Sequence, residues 1–419
     1  MAELAVLCAA YSISLFYRGM LAVIAPEITA ELVLDESMLG LLASAFFISF
    51  AVAQIPCGIL LDRYGGRLTV AGFLWVAVCG TLLFSEADSY YLAVFAQVLL
   101  GVGCAPIFTG TMLFIGRRFD PLRFAYITAL VIAIGSVGDL MGTVPLAMLA
   151  DEFGWRNALL LVALVTALTA ILCVFGLSSD KPPASNETLR HMLRGMGRIL
   201  KVRALWPLLP MFLASYAVLM AIRGVWSGPY LADLYGSDAT ERGLILMAMS
   251  VAMALGTFLL GVLDRRLQYT KAVVIGSSVL TMCPLVLLAV YPAENVYVAM
   301  GAFITLGLFG FNYPLLMSHS RTFLSSQYLG RGMAVLTAAS FIGVALVQAG
   351  SGWLLEWAIA EQFSAIDRYR ILFITLLITM AIATMIYCQS HRQGRADEPL
   401  SIVSANGEKA VSGILRHLE

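Results

Sequence analysis

Residues 37–85 read SMLGLLASAFFISFAVAQIPCGILLDRYGGRLTVAGFLWVAVCGTLLFS. Two apolar runs flank a short stretch that carries Asp62, Arg63 and Arg67 around Gly65 and Gly66. A bilayer core needs roughly 20 apolar residues of helix, and in lipid only a helix or a closed barrel satisfies every backbone group. The stretch therefore predicts two spans, near 37–61 and 68–85, joined by a tight charged loop. Working outward, the same reading places spans near 4–26, 90–115, 123–149 and 156–178. After a polar break come 205–231, 243–263, 271–291, 295–319, 331–356 and 370–388. The expectation is an all-α membrane protein of twelve transmembrane helices, a bundle over 1–178, a linker over 179–204, a bundle over 205–388 and a tail over 389–419.

Composition supports lipid as the solvent. Of 419 residues, 60% are hydrophobic and 12% charged, with a mean hydropathy of +0.88. A soluble domain carries about 25% charged residues. Formal net charge is zero, which gives no pull toward nucleic acid. The seven cysteines sit in or beside apolar runs without metal or CxxC spacing, so they read as small packing residues.

Charge is nonetheless sorted along the chain. Arg63, Arg67, Arg117, Arg118 and Arg123, the linker's Lys181, Arg190, Arg194, Arg198, Lys201 and Arg203, and later Arg265, Arg266, Lys271, Arg321 and Arg331 all fall on one side. The opposite side holds Arg156, Arg242, Arg368 and Arg370, and most of the acids of the first half. Under the positive-inside rule both termini lie in the cytoplasm. The linker's Leu189, Met192, Leu193, Met196, Ile199 and Leu200 recur at helical spacing between basic residues, as in a helix lying on the anionic leaflet.

The chain repeats itself. Tyr11 precedes Arg18-Gly19 as Tyr216 precedes Arg223-Gly224, at the same separation. Each pair is followed, at the end of the next span, by Leu-Asp-Arg at Leu61-Asp62-Arg63 and Leu263-Asp264-Arg265. Parallel halves of this kind suit a carrier with a midplane site between them. The stretch Gly58-Ile-Leu-Leu-Asp62-Arg63-Tyr-Gly65-Gly66-Arg67, with its partial copy Asp264-Arg265, resembles the signature loop of the major facilitator superfamily. That resemblance implies two pseudo-symmetric six-helix bundles and secondary active transport by alternating access; the sequence offers no nucleophile–base set, Walker loop or metal-ligand cluster, so neither an enzymatic step nor a cofactor is expected. The resemblance also implies a gating role for Gly58, Asp62, Arg63, Gly65, Arg67, Asp264 and Arg265, whose charges would latch the cytoplasmic side.

Two other superfamily motifs are altered. Span four has Gln97 where the family pattern has arginine, and span five has Asp139 where the drug-antiporter pattern has proline. Both departures argue against a multidrug antiporter. Tyr17-Arg18-Gly19 and the stretch from Arg223 through Trp226 to Pro229-Tyr230 are similar to the organophosphate:phosphate antiporters and related organic-anion carriers. In that branch the two arginines hold the anion. The branch's basic residue in span two is Gln54 here, which favours a carboxylate over a phosphate dianion.

Arg18, Arg223 and Asp139 are the strongly charged residues well inside spans, where an ionised group costs at least about 2.5–3.5 kcal/mol and should face a cavity or a partner. The candidate substrate contacts are Arg18, Arg223, Tyr11, Tyr216, Gln54 and Trp226. Asp139 is either a proton carrier or the counter-ion of an arginine. Met249 and Met253, four apart on span eight, admit a copper or cofactor-like importer as an alternative, and a non-transporting sensor with the same fold is a further one. The expected partners are the bilayer, a small anion and protons; the chain reads as a monomer in a bacterial inner membrane.

Overall fold

The computed structural model describes residues 2–118, 121–177, 203–324 and 329–390. The basic amphipathic segment expected in the linker, and the tail beyond residue 390, lie outside these.

Among the described residues, twelve helices are long and apolar enough to cross a membrane. They are α1 (Glu3–Leu32), α2 (Glu36–Gln54), α3 (Arg63–Ser85), α4 (Tyr90–Gly116), α5 (Leu130–Phe153) and α6 (Trp155–Gly176) in the first six. The last six are α7 (Leu209–Tyr235), α8 (Ala239–Leu267), α9 (Thr270–Val290), α10 (Val296–Arg321), α11 (Gly332–Ala360) and α12 (Ala365–Cys388). An even count puts both ends of the chain on one face, called here the terminal face; the opposite one is the far face.

The side chains sort by helical period. On α6, Leu160, Leu161, Leu164, Val165, Leu168, Ile171, Leu172 and Phe175 are exposed, while Ala158, Leu159, Ala163, Thr166, Ala170 and Cys173 are buried. The exposed stripe meets lipid, and the small residues of the other stripe let neighbouring helices approach. By contrast α1 and α7 are the most buried spans, so they run through the middle of the molecule.

Three spans are interrupted, each near its midpoint. Helix α5 resets at Gly142–Thr143, just before Pro145, and α10 resets at Phe311–Asn312, just before Pro314. Proline cannot donate the hydrogen bond that would carry the helix across. The Asn312 side chain at the α10 break is itself fully paired. The Asn312 amide donates to Ser277 Oγ at 3.1 Å and Ser278 Oγ at 3.2 Å on α9, and its carbonyl oxygen accepts from Ser215 on α7. Helix α7 holds a π turn at Ile222–Trp226, which rotates Arg223 relative to a regular helix. Gly65 takes φ 77° and so breaks the continuous run of α2 and α3, a conformation that favours glycine.

The two sets of six spans are joined at mid-depth and beyond it toward the far face. There α1 packs against the second half of α7, and Arg242 on α8 pairs with Glu27 on α1. Arg368 on α12 lies 3.6 Å from Glu36 on α2, and the Thr240 hydroxyl donates to Asp151 at 2.8 Å. These contacts close the far face.

Candidate functional site

The embedded charges meet where the two sets of spans touch. Arg223 is 1% exposed and uses its whole guanidinium. Its Nε–H donates to Ser250 Oγ on α8 at 3.0 Å, one Nη to the Gly19 carbonyl on α1 at 3.4 Å, and the other to Asp139 Oδ1 on α5 at 2.9 Å. Gly19 is required for this approach, since a Cβ there would lie 2.7 Å from the guanidinium. Asp139 and Arg223 thus form a buried ion pair.

Arg18 is placed differently. Its guanidinium lies over the Phe50 ring on α2 at 4.9 Å and the Phe341 ring on α11 at 5.2 Å. It also faces the Tyr216 hydroxyl on α7. Among the described residues no carboxylate lies within ion-pair distance of Arg18, and its buried Nε–H has no acceptor. The two arginines equivalent in the sequence repeat are unequal in space: one is held by a carboxylate, the other lies over two rings.

Tyr11 and Tyr216 stand with Arg18. Each precedes its arginine by seven residues, about 10 Å along a helix toward the terminal face. Tyr11 packs on Phe108 at 5.2 Å between ring centres, and Tyr216 on Phe341 at 5.9 Å. Gln54 is half-buried one turn beyond Phe50, with its amide donating to the Ala105 carbonyl at 3.2 Å and Thr109 nearby. Trp226 belongs to the packing, fully buried with its Nε1–H on Ser351 Oγ at 2.7 Å.

Phe50, Phe341 and Ser250 are site residues that the sequence reading missed. Aromatic rings give no contrast inside an apolar helix, whereas an arginine does. Tyr17, next to Arg18, faces the other way. Its hydroxyl bonds to Thr81 at 2.6 Å and Thr166 at 2.8 Å, tying α1 to α3 and α6. Tyr17→Phe is expected to cost about 1–2 kcal/mol of stability, the worth of two ordinary net hydrogen bonds. Ligand affinity should stay unchanged, and a thermal melt with and without ligand separates the two effects.

The other expected residues lie elsewhere. Met249 is buried with its backbone and side chain close against Gly307, which makes it a packing residue between α8 and α10 rather than part of an open thioether site. Among the described residues no group of three His, Cys, Asp or Glu could hold a metal ion. At the start of α3, around the break at Gly65, Arg63 is exposed with its guanidinium 5.4 Å from the Tyr64 ring, Arg67 is half-buried, and Gly58 lies in the continuous helix before them. The Asp62 side chain lies outside the described residues. In the second copy Asp264 is half-buried and Arg265 exposed at the end of α8.

Comparison with known proteins agrees with this architecture. The chain is 26% identical over 176 residues to a hexuronate transporter of Bacillus subtilis, a match covering 42% of this chain and 40% of that protein. It is 23% identical over 377 residues to a protein of Agrobacterium vitis named for tartrate transport, covering 83% of this chain and 82% of that one. Among solved structures, a bacterial homologue of the human lysosomal transporter Spinster superposes with a TM-score of 0.75 at 17% identity, over 92% of this chain and 96% of the other. The sequence pattern of the Major Facilitator Superfamily matches residues 7–348 and 224–401. With twelve spans, broken helices at mid-depth and that pattern over most of its length, the chain belongs to the Major Facilitator Superfamily and is a membrane transporter.

Proposed function

We propose that the protein carries a small organic monocarboxylate across a bacterial inner membrane, with Arg18 as the anchor for the carboxylate. The observation that carries this reading is the charge count of the centre. Arg223 and Asp139 cancel, and Arg18 is left as one positive charge at the junction of the two sets of spans. A guanidinium presents a planar fork that matches a carboxylate, and one net charge matches one. The names of the relatives, for hexuronate and for tartrate, support an organic anion.

The excess of arginine and lysine on the terminal face makes that face cytoplasmic. A molecule closed on the far face is then poised toward the cytoplasm. Transport follows from rocking of the two six-span halves about Arg18, with the far-face pairs parting as the charged loop of Asp62, Arg63 and Arg67 closes the other side. Asp139 acts in this state as a counter-ion, so any proton coupling requires the pair with Arg223 to separate first.

The test is thermal stability of the purified protein with carboxylates, matched neutral amides and amines. A ligand at 100 times its Kd adds about 2.7 kcal/mol. Carboxylates alone should raise the midpoint, and Arg18→Gln should remove that response while leaving the ligand-free midpoint close to wild type. Stabilisation by neutral amides, or an intact response in Arg18→Gln, would refute the assignment.

A further inference from the structure

We infer that the transported acid is an aromatic monocarboxylate rather than a polyhydroxylated one. This rests on the reading of Arg18 as the carboxylate anchor and specifies what lies behind the carboxylate. The Arg18 guanidinium lies against one side of the touching Phe50 and Phe341 rings, whose centres are 4.5 Å apart. From Phe341 the aromatic wall continues without interruption toward the terminal face. Tyr216 follows at 5.9 Å, then Phe311 and Tyr313 at 5.6 and 6.1 Å from Tyr216. From the first six spans Tyr11 packs on Phe108 and lies near Arg18 and Tyr216 without touching the rings of that wall. Both halves of the molecule therefore contribute rings around one charge.

Several polar groups near these rings are already paired, while the Gln348 side-chain carbonyl oxygen and the Arg18 Nε–H are buried without a partner. The Tyr313 hydroxyl bonds to Thr337 at 2.9 Å, and Ser250 accepts from Arg223. Asn312 is held by three serines, and the Gln348 amide donates to the Met220 carbonyl at 3.1 Å. A sugar acid brings four or so hydroxyls that lose water on binding and need partners in return. Each one left unpaired weakens binding. An aryl ring needs no hydrogen bonds. It gains from offset or edge contacts with ring centres 4.5–7 Å apart, the spacing this wall already uses among its own members. The carboxylate would meet Arg18 and the ring would lie against the surface formed by Phe341, Tyr216 and Phe311.

The experiment measures affinities of the purified full chain by calorimetry at pH 7. The probes are benzoate, phenylacetate and cinnamate, against D-glucuronate and cyclohexanecarboxylate. All five are monoanions, so charge is held constant while hydroxyls and aromaticity vary. The best aryl acid should bind at least about tenfold more tightly than both D-glucuronate and cyclohexanecarboxylate, the size of one or two good ring contacts. In Phe341→Leu, and independently in Phe311→Leu, the margin over cyclohexanecarboxylate should shrink at least threefold. A margin below tenfold in the wild-type protein, or glucuronate as the tightest ligand, overturns the inference and leaves the carboxylate reading standing. Failure of all five to bind, or binding of all five unchanged in Arg18→Gln, brings down the carboxylate reading and this inference with it.

Discussion

Asp139→Asn is expected to lower the stability of the protein by about 3–5 kcal/mol, the usual cost of stripping the partner from a buried charge. Arg223 is almost inaccessible, and its remaining partners, Ser250 Oγ and the Gly19 carbonyl, are neutral. Asparagine can still accept a hydrogen bond through its amide oxygen, but it brings no charge. Arg223→Gln should cost a comparable amount by leaving the carboxylate alone. The double variant should lose less than either single one, because both charges leave together. That pattern, read from unfolding in a mild detergent, is the signature of a coupled pair. Binding offers a second readout. In Asp139→Asn the centre holds two positive charges where the wild type holds one, so dicarboxylates should gain affinity relative to monocarboxylates of similar size. A single variant as stable as wild type, with no change in that ratio, would mean that the pair has no role in setting the charge of the site.

The singularity of Arg18 depends on that pair, and the sequence shows only half of it. An arginine or aspartate within an apolar run stands out in one dimension, so Arg18, Arg223 and Asp139 are legible as embedded charges from the amino-acid order alone. The span count is equally legible, because backbone polarity in lipid forces helices of a set length. What one dimension hides is partner choice. Asp139 sits 84 residues before Arg223 and reaches it, and not Arg18, because the π turn at Ile222–Trp226 swings Arg223 toward α5 and Gly19 leaves room for its guanidinium. The repeat makes the two arginines look equivalent, yet only the first half supplies an acid at this depth. Trp226, chosen from the family resemblance, is turned to Ser351. Phe50 and Phe341 are adjacent to Arg18 only through the packing of α2 against α11. The spans themselves differ by a few residues from those expected, and the break in α10 is signalled by Asn312-Tyr313-Pro314 within an otherwise continuous apolar run.

Gly228→Val should trap the molecule open on its far face and abolish transport. At this position α7 crosses α1 so closely that even a Cβ would lie 1.9 Å from the Ala22 carbonyl oxygen. Overpacking a core usually costs about 1–3 kcal/mol because side chains rotate aside. A backbone oxygen in a helix has no such freedom, so the cost here must exceed that range or be avoided by moving the helices apart. The fold provides a direction in which they can move. The contact joins the two sets of six spans, and the same interface holds the Arg242–Glu27 and Arg368–Glu36 pairs, the Thr240–Asp151 bond and the close packing of Gly40 on Gly352 and of Gly243 on Ala147 toward the far face. Parting α1 from α7 breaks these while leaving the packing inside each set intact. A shift of about 5.5 kcal/mol turns a 1:99 equilibrium into 99:1, so a clash of this kind is enough to reverse which face is closed. Spin labels at Asp88→Cys and Glu294→Cys, both exposed in far-face connections, report the change directly. In Gly228→Val the distance between them should lengthen and its distribution should lose the short component. Carboxylate counterflow should fall to background, since a carrier that cannot close its far face cannot return its site to the terminal face. Unchanged distances with intact counterflow would mean that α1 and α7 do not have to meet at Gly228 for the cycle to run, and that the far face closes elsewhere.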